Sequence, residues 1–101
     1  DTVAPSVPTG LTGSSTRNSV SLSWAAATDS APAGATISGV SAYDVYRAKG
    51  SGAFTKVASP TGTSFTDGSL VRRTTYRYYV RARDAAGNSS GNSATFSIKT
   101  R

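Results

Sequence analysis

The sequence lacks several of the side chains on which enzymes most often depend. Its 101 residues include no cysteine, histidine or methionine, and glutamate and glutamine are absent as well. Without cysteine the chain has no disulfide bond and no thiolate nucleophile, and without histidine it has no imidazole acid–base group or metal ligand. The absence of cysteine does not indicate a cytosolic protein, because a well-packed domain of about 100 residues needs no disulfide.

Carboxylates are also scarce, and all of them are aspartates: Asp1, Asp29, Asp44, Asp67 and Asp84. Glycoside hydrolysis usually needs two carboxyl groups facing one bond, and calcium needs six or more oxygen ligands. We expect Asp29, Asp67 and Asp84 to lie in turns and to accept hydrogen bonds from nearby backbone N–H groups. The sequence therefore predicts no catalytic site, no metal and no cofactor.

Positive charge dominates what remains. Eleven lysines and arginines against five aspartates give a net charge of +6. Such a domain can attract nucleic acid or acidic polysaccharide, but no nucleic-acid-binding motif is present. No apolar run approaches the ~20 residues of a membrane span. We expect a monomer with neither nucleic acid nor membrane as a partner.

Apolar and polar residues alternate in short segments. SVSLSW is typical of a half-buried strand, and VSAYDVYR, FTKVA, TSFTD, TYRYYVRARD and SATFSIKT follow it between turns. With a first strand near Leu11, the pattern predicts a seven-stranded antiparallel β-sandwich of the immunoglobulin-like class. Residues 1–9 are interpreted as a linker and 10–101 as the module, and the long loop Ala25–Gly39 has no assigned role. The alternation predicts a core of Leu22, Trp24, Tyr43, Val45, Tyr76, Tyr78 and Val80.

A strand ending in Trp24, then YDVYR, then Leu70, Thr74 and Tyr76 in L-x-x-x-T-x-Y, then VRARDAAGNSS, resembles the fibronectin type III family. The resemblance is strongest to the bacterial branch found in secreted enzymes that degrade polysaccharides and other polymers. It covers nearly the whole chain. No single motif is decisive, but their order and spacing are specific.

The resemblance assigns roles to several residues. Trp24 would be the buried tryptophan of the second strand. Leu70 and Tyr76 would form the tyrosine corner, in which the hydroxyl bonds to backbone just upstream. The family usually has Pro-Gly within this corner, where this sequence has Arg72 and Arg73. Asp84, Gly87 and Asn88 would shape the turn that follows the sixth strand.

The resemblance also implies that YDVYR pairs with the strand that begins at Tyr76. One exposed face would then carry a candidate polymer-contact surface of Tyr46, Arg77, Tyr79, Arg81 and Arg83, with Asp44 exposed among them. We expect the stems of Arg77 and Arg81 to cover the ring of Tyr79, and Asp44 to neutralise one of these two arginines across the strands. An ordinary exposed sheet face would have the same composition.

Three functions remain open. The leading hypothesis is a non-catalytic spacer in an extracellular bacterial chitinase- or cellulase-like enzyme, whose partners are the neighbouring domains of its own chain. The second is direct binding of an insoluble polysaccharide through the candidate polymer-contact surface. The third is protein interaction or adhesion through the loop Ala25–Gly39 and the AAGNSS turn.

Overall fold

The computed structural model describes residues 5–27 and 40–101, which form seven strands and no helix. Residues 1–4 and 28–39, with Asp1, Asp29 and most of the loop Ala25–Gly39, lie outside the described residues. Among the described residues there is no helix long and apolar enough to cross a membrane. The strands are β1 (Thr9–Ser15), β2 (Val20–Ala25), β3 (Val40–Lys49), β4 (Thr55–Ala58), β5 (Ser64–Asp67), β6 (Thr75–Asp84) and β7 (Phe96–Lys99).

The strands form two antiparallel sheets, one ordered β1-β2-β5 and the other β4-β3-β6-β7. Alternation along each strand turns one set of side chains towards the opposite sheet, as in the strictly alternating burial of β2. The predicted all-β sandwich is confirmed.

The core lies between the two sheets. Trp24 from one sheet meets Tyr43 from the other edge-on, with ring centroids 5.5 Å apart. The hydroxyl of Tyr43 accepts a hydrogen bond from the backbone N–H of Ala27. The residues assigned to the core from the sequence are all buried: Leu22, Trp24, Tyr43, Val45, Leu70, Tyr76, Tyr78 and Val80.

The turn prediction for Asp67 is wrong. Asp67 is the last residue of β5, is 6% exposed, and accepts hydrogen bonds from two side chains of the opposite sheet. Nη1 of Arg47 donates to both carboxylate oxygens, at 3.0 and 2.8 Å, and the hydroxyl of Tyr78 donates to one of them at 2.8 Å. The buried carboxylate therefore joins the two sheets instead of capping a turn.

The pKa values of Tyr78 and Arg47 are both raised, in agreement with their hydrogen bonds to Asp67. Burial raises the pKa of Tyr78 far above its usual value, and the hydrogen bond to Asp67 raises it further. The hydrogen bond to Asp67 also raises the pKa of Arg47, against the opposing effect of burial. Both partners thus keep their protons, and Asp67 retains two donors.

The corner before β6 has the geometry that the resemblance implies. The backbone N–H of Val71 donates to the hydroxyl oxygen of Tyr76 at 2.9 Å, and Leu70 is buried. Arg73 has φ +53°, in the left-handed region that favours glycine. A non-glycine residue therefore occupies the position at which the family usually has glycine.

We expect Arg73→Gly to raise the free energy of unfolding by about 0.5–1 kcal/mol. Relief of the left-handed strain, about 1–2 kcal/mol, exceeds the extra backbone entropy that glycine loses on folding. Urea denaturation of both proteins checks this, with Arg72→Gly as the control, because Arg72 has no positive φ. Equal losses of stability in both variants would contradict it.

Asp84 holds the turn after β6, as predicted. One carboxylate oxygen accepts from the backbone N–H of Asn88 and the other from its side-chain amide, while Gly87 has φ +95°. Burial by itself would raise the pKa of Asp84, but the hydrogen bonds from Asn88 and from the backbone outweigh it, and the pKa is lowered. Both carboxylate oxygens of Asp84 are thus occupied by hydrogen bonds within the turn.

Strand β7 is shorter than the predicted segment SATFSIKT, because it begins only at Phe96. Before it, two buried serines bond to β6 through both backbone and side chain. The N–H of Val80 donates to Oγ of Ser93, and the N–H of Ala82 donates to Oγ of Ser90. Hydroxyl groups therefore take the place of backbone carbonyls where the chain leaves the regular ladder.

The chain enters and leaves the sandwich at opposite ends. At the N-terminal pole, Thr9 pairs with Ala25 at the start of β1. At the C-terminal pole, the N–H of Arg101 donates to the carbonyl of Thr16, just beyond the other end of β1. We define the C-terminal pole as residues 16–19, 49–52, 71–74 and 99–101.

Candidate polymer-contact face

The outer face of the four-stranded sheet brings together the five residues predicted for it. In the pairing of β3 with β6, Tyr46 lies opposite Tyr79 and Asp44 opposite Arg81. Arg77 lies two residues before Tyr79 and Arg83 two residues after Arg81, so both are on the same side of β6. Tyr46, Arg77, Tyr79, Arg81 and Arg83 are each half-buried.

Five side chains form a continuous stack on this face, which we call the aromatic–arginine ladder: Arg81, Tyr46, Tyr79, Phe54 and Arg77. The two tyrosine rings are stacked with centroids 4.7 Å apart and planes 15° apart. Phe54 contacts Tyr79 at 4.7 Å with a tilt of 58°. The guanidinium carbon of Arg81 lies 5.4 Å from the centroid of Tyr46, and that of Arg77 lies 4.8 Å from the centroid of Phe54.

This arrangement corrects the predicted positions of the arginines. The guanidinium groups lie over Tyr46 and Phe54, whereas the expectation placed both arginines on Tyr79. Tyr79 instead sits between two aromatic rings. Phe54 was missed, although Lys56 pairs with Tyr46 and alternation places residue 54 on the same side of the edge segment.

Both arginines of the ladder are held at their polar ends as well. Arg77 donates to the carbonyl oxygens of Gly50 and Gly52 at 2.8 and 2.9 Å. Nε of Arg81 donates to the side-chain oxygen of Asn92 at 2.6 Å. Each guanidinium group therefore has both a cation–π contact and at least one hydrogen-bond acceptor.

Asp44 lies on the outer face but is not exposed as predicted, since only 5% of it is accessible to solvent. Oγ of Ser59, just beyond β4, donates to the carboxylate at 2.8 Å, and Nη2 of Arg83 lies 3.8 Å from the same oxygen. The predicted partner is wrong: Asp44 pairs with Arg83, whereas Arg77 and Arg81 donate to Gly50, Gly52 and Asn92. This carboxylate binds two protein groups and is covered by them.

The ladder determines what this face can do chemically. Stacking on a sugar requires an aromatic ring whose flat side is open to solvent. Tyr46 and Tyr79 use one side of each ring for each other, and Arg81 and Phe54 contact the same two rings. The face is thus stabilised by its own contacts, at about 0.5–1.5 kcal/mol for each aromatic pair.

Residues 5–27 and 40–101 contain no group of three or more acidic, histidine or cysteine side chains that could hold a metal ion. The three aspartates in these ranges, Asp44, Asp67 and Asp84, lie in separate hydrogen-bonded networks. None of them faces a second carboxylate across an open cleft.

Residues 6–99 match the family model described as the fibronectin type III domain. The chain is a fibronectin type III domain. The sandwich of three and four strands and the bond from Val71 to the hydroxyl of Tyr76 are the structural features that the sequence resemblance led us to expect.

Similar fibronectin type III sequences occur in bacterial enzymes. Exoglucanase B of Cellulomonas fimi is 50% identical over 101 residues, which are 100% of this domain and 8% of that protein. Chitinase Chi52 of Paenibacillus xylanexedens is 46% identical over 101 residues, covering 99% of this domain and 17% of that protein. The domain therefore spans a small fraction of the length of the relatives it matches.

A solved structure shows the same fold. The Fn3-like protein from Clostridium thermocellum superposes with a TM-score of 0.71 and 31% identity, over 97% of this domain and 95% of that chain. The similarity extends over both sheets, since almost the whole domain is matched.

Proposed function

We propose that this domain is a non-catalytic spacer of an extracellular bacterial polysaccharide-degrading enzyme. It would set the distance and orientation between a catalytic domain and a carbohydrate-binding domain. The observation that carries the proposal is that the chain enters the sandwich at one pole, where β1 begins, and leaves it at the other, beside Thr16. Neighbouring domains joined to these poles would lie in line, on either side of the sandwich.

The expected separation follows from the strands. Strand β6 has ten residues, and at ~3.4 Å per residue it spans about 31 Å along the sandwich. A folded β-sandwich holds that distance. A flexible Gly/Ser chain of about 100 residues has an r.m.s. end-to-end distance of about 55 Å but samples every shorter one. A fixed separation helps because it sets the effective concentration of one domain at the polymer that the other has bound.

Two further observations support a spacer. Exoglucanase B and Chitinase Chi52 are named for polysaccharide degradation, and the matched segment is a small part of each. The three described carboxylates are bound to the protein's own groups, which leaves none of them free for acid–base work on a substrate.

The decisive test replaces the domain within its full-length enzyme by a Gly/Ser linker of the same number of residues. We expect hydrolysis of the insoluble polysaccharide to fall several-fold, because the linker no longer fixes the separation, while hydrolysis of a short soluble substrate stays unchanged. Insertion of an unrelated fibronectin type III domain is the matched control and should restore activity. Equal activity of the linker variant on the insoluble substrate would overturn the proposal.

Direct binding of an insoluble polysaccharide is the second candidate, favoured by the half-buried tyrosines and arginines that share one face. It requires a sugar to compete with contacts within the aromatic–arginine ladder. Depletion of the isolated domain by crystalline cellulose or chitin, resistant to salt and lost in the double variant Tyr46→Ala/Tyr79→Ala, would establish it. Loop-mediated protein binding would survive that double variant and fail on trimming of the loop Ala25–Gly39.

A further inference from the structure

The described part of the domain has a one-sided distribution of charge. Its three carboxylates, Asp44, Asp67 and Asp84, are all buried, at 5%, 6% and 2% exposure. Every exposed charged side chain in residues 5–27 and 40–101 is therefore positive. These side chains are Arg17, Lys49, Lys56, Arg72, Arg73, Lys99 and Arg101.

All of these cations except Lys56 lie at the C-terminal pole. The segments that carry them are far apart in sequence but are joined by backbone hydrogen bonds. In each bond a backbone N–H donates to a backbone carbonyl oxygen: Arg101 to Thr16, Leu70 to Asn18, Thr100 to Thr74, and Gly50 to Thr75. In addition, Lys99 lies opposite Thr75 in the pairing of β7 with β6, and Lys49 lies opposite Tyr76 in the pairing of β3 with β6.

No described side-chain carboxylate is free to neutralise this pole. Asp67 is directed inwards to Arg47 and Tyr78, and Asp44 contacts Arg83 on the outer sheet face. Beside the arginines of the corner, Val71 exposes 51% of its surface. The pole thus combines a cluster of solvated cations with one apolar side chain.

We propose that the C-terminal pole binds an anionic polysaccharide. An extended polyanion can engage several cations on a convex surface at once, and it releases its condensed counterions when it does so. Val71 offers an apolar contact to a sugar ring. A neutral polysaccharide has no condensed counterions to release and no charge for the six cations to attract.

The choice of a polysaccharide over other polyanions rests on the proposed function, which places the domain in a polysaccharide-degrading enzyme. The prediction that the C-terminal pole binds a polyanion does not rest on the proposed function. A domain that binds no polyanion would still hold its neighbours apart, and a domain that does bind could fail as a spacer. Binding by the isolated domain and linker replacement in the enzyme therefore test the two proposals separately.

The test is titration of the isolated 101-residue domain with polygalacturonate, followed by fluorescence anisotropy or calorimetry. We expect saturable binding at about 50 mM salt that weakens by at least ~100-fold at about 200 mM, as several released counterions require. Neutral dextran should not bind. Absence of binding to polygalacturonate at low salt would overturn the proposal, as would tighter binding to duplex DNA under the same conditions.

Two matched single variants distinguish binding at the C-terminal pole from attraction by net charge alone. Arg72→Gln and Lys56→Gln each lower the net charge by one at an exposed position, and only Arg72 lies at the pole. We expect roughly fivefold weaker binding for Arg72→Gln, because a cation near an anionic surface contributes about that factor, and less than about twofold for Lys56→Gln. Equal weakening by both would overturn the proposal in favour of net charge alone.

The triple variant Arg17→Gln/Arg72→Gln/Arg73→Gly should lose about 100-fold in affinity, if each cation contributes about fivefold. Its circular dichroism and thermal unfolding show whether it is folded, and the single variants keep the test decisive if it is not. Unchanged affinity in a folded triple variant would contradict the proposal.

Discussion

Replacement of Asp67 by alanine should lower the free energy of unfolding by about 3–5 kcal/mol, a large part of the ~5–15 kcal/mol that a domain possesses. The loss arises because the buried hydroxyl of Tyr78 and the guanidinium of Arg47 then have no carboxylate partner. Tyr78 is fully buried, so water cannot replace the lost acceptor without rearrangement. Urea denaturation monitored by the fluorescence of Trp24 measures the change.

Two controls show whether the cost comes from stranded polar groups. Asp67→Asn keeps an acceptor for Tyr78 but removes the charge opposite Arg47, and it should lose less than Asp67→Ala. The triple variant Arg47→Met/Asp67→Leu/Tyr78→Phe removes all three polar partners together and should recover most of the stability. A loss below about 1 kcal/mol for Asp67→Ala would mean that this network does not hold the sheets together.

Replacement of Trp24 by alanine should cost about 3–5 kcal/mol, since it empties the largest side-chain volume between the sheets. It also removes the edge-on contact with Tyr43 across the core. Thermal and urea unfolding of the variant test this.

Trp24→Phe is the matched control. Phenylalanine fills most of the volume that alanine would leave empty, and the indole N–H that it removes has no hydrogen-bond partner among the described residues. We therefore expect phenylalanine to cost less than half as much as alanine. If both variants lost the same free energy, the ring volume would not be the source of stability.

Local alternation was sufficient to predict the strands and their buried sides. The pattern of Val20, Leu22 and Trp24 between serines has a period of two, which belongs to an extended chain whatever lies beside it. The same reasoning placed Tyr76, Tyr78 and Val80 inside and their alternating neighbours on β6 outside. The pairing that brings Tyr46 to the same outer face came from the family resemblance. The tyrosine corner was predicted from the family resemblance. Its hydrogen bond joins Val71 and Tyr76, which are only five residues apart in the sequence.

Pairing between distant segments could not be predicted in this way. Asp67 was expected to cap a turn because its neighbours Gly68 and Ser69 are turn residues, but its partners are 20 and 11 residues away on the opposite sheet. Phe54 joined the ladder only through the register of β4 against β3. Asp44 was covered because Ser59 folds back over it.

The sequence by itself thus determined the class of fold, the composition of the core and the scarcity of groups for catalysis, since each depends on residue type and local period. The tertiary structure decided which side chains of the outer face stack on one another and which sheet Asp67 serves. It also gathered Arg17, Arg72 and Arg101 at one pole. Their proximity depends on hydrogen bonds between segments more than 50 residues apart, such as that from Leu70 to Asn18, and a local pattern contains no information about such contacts.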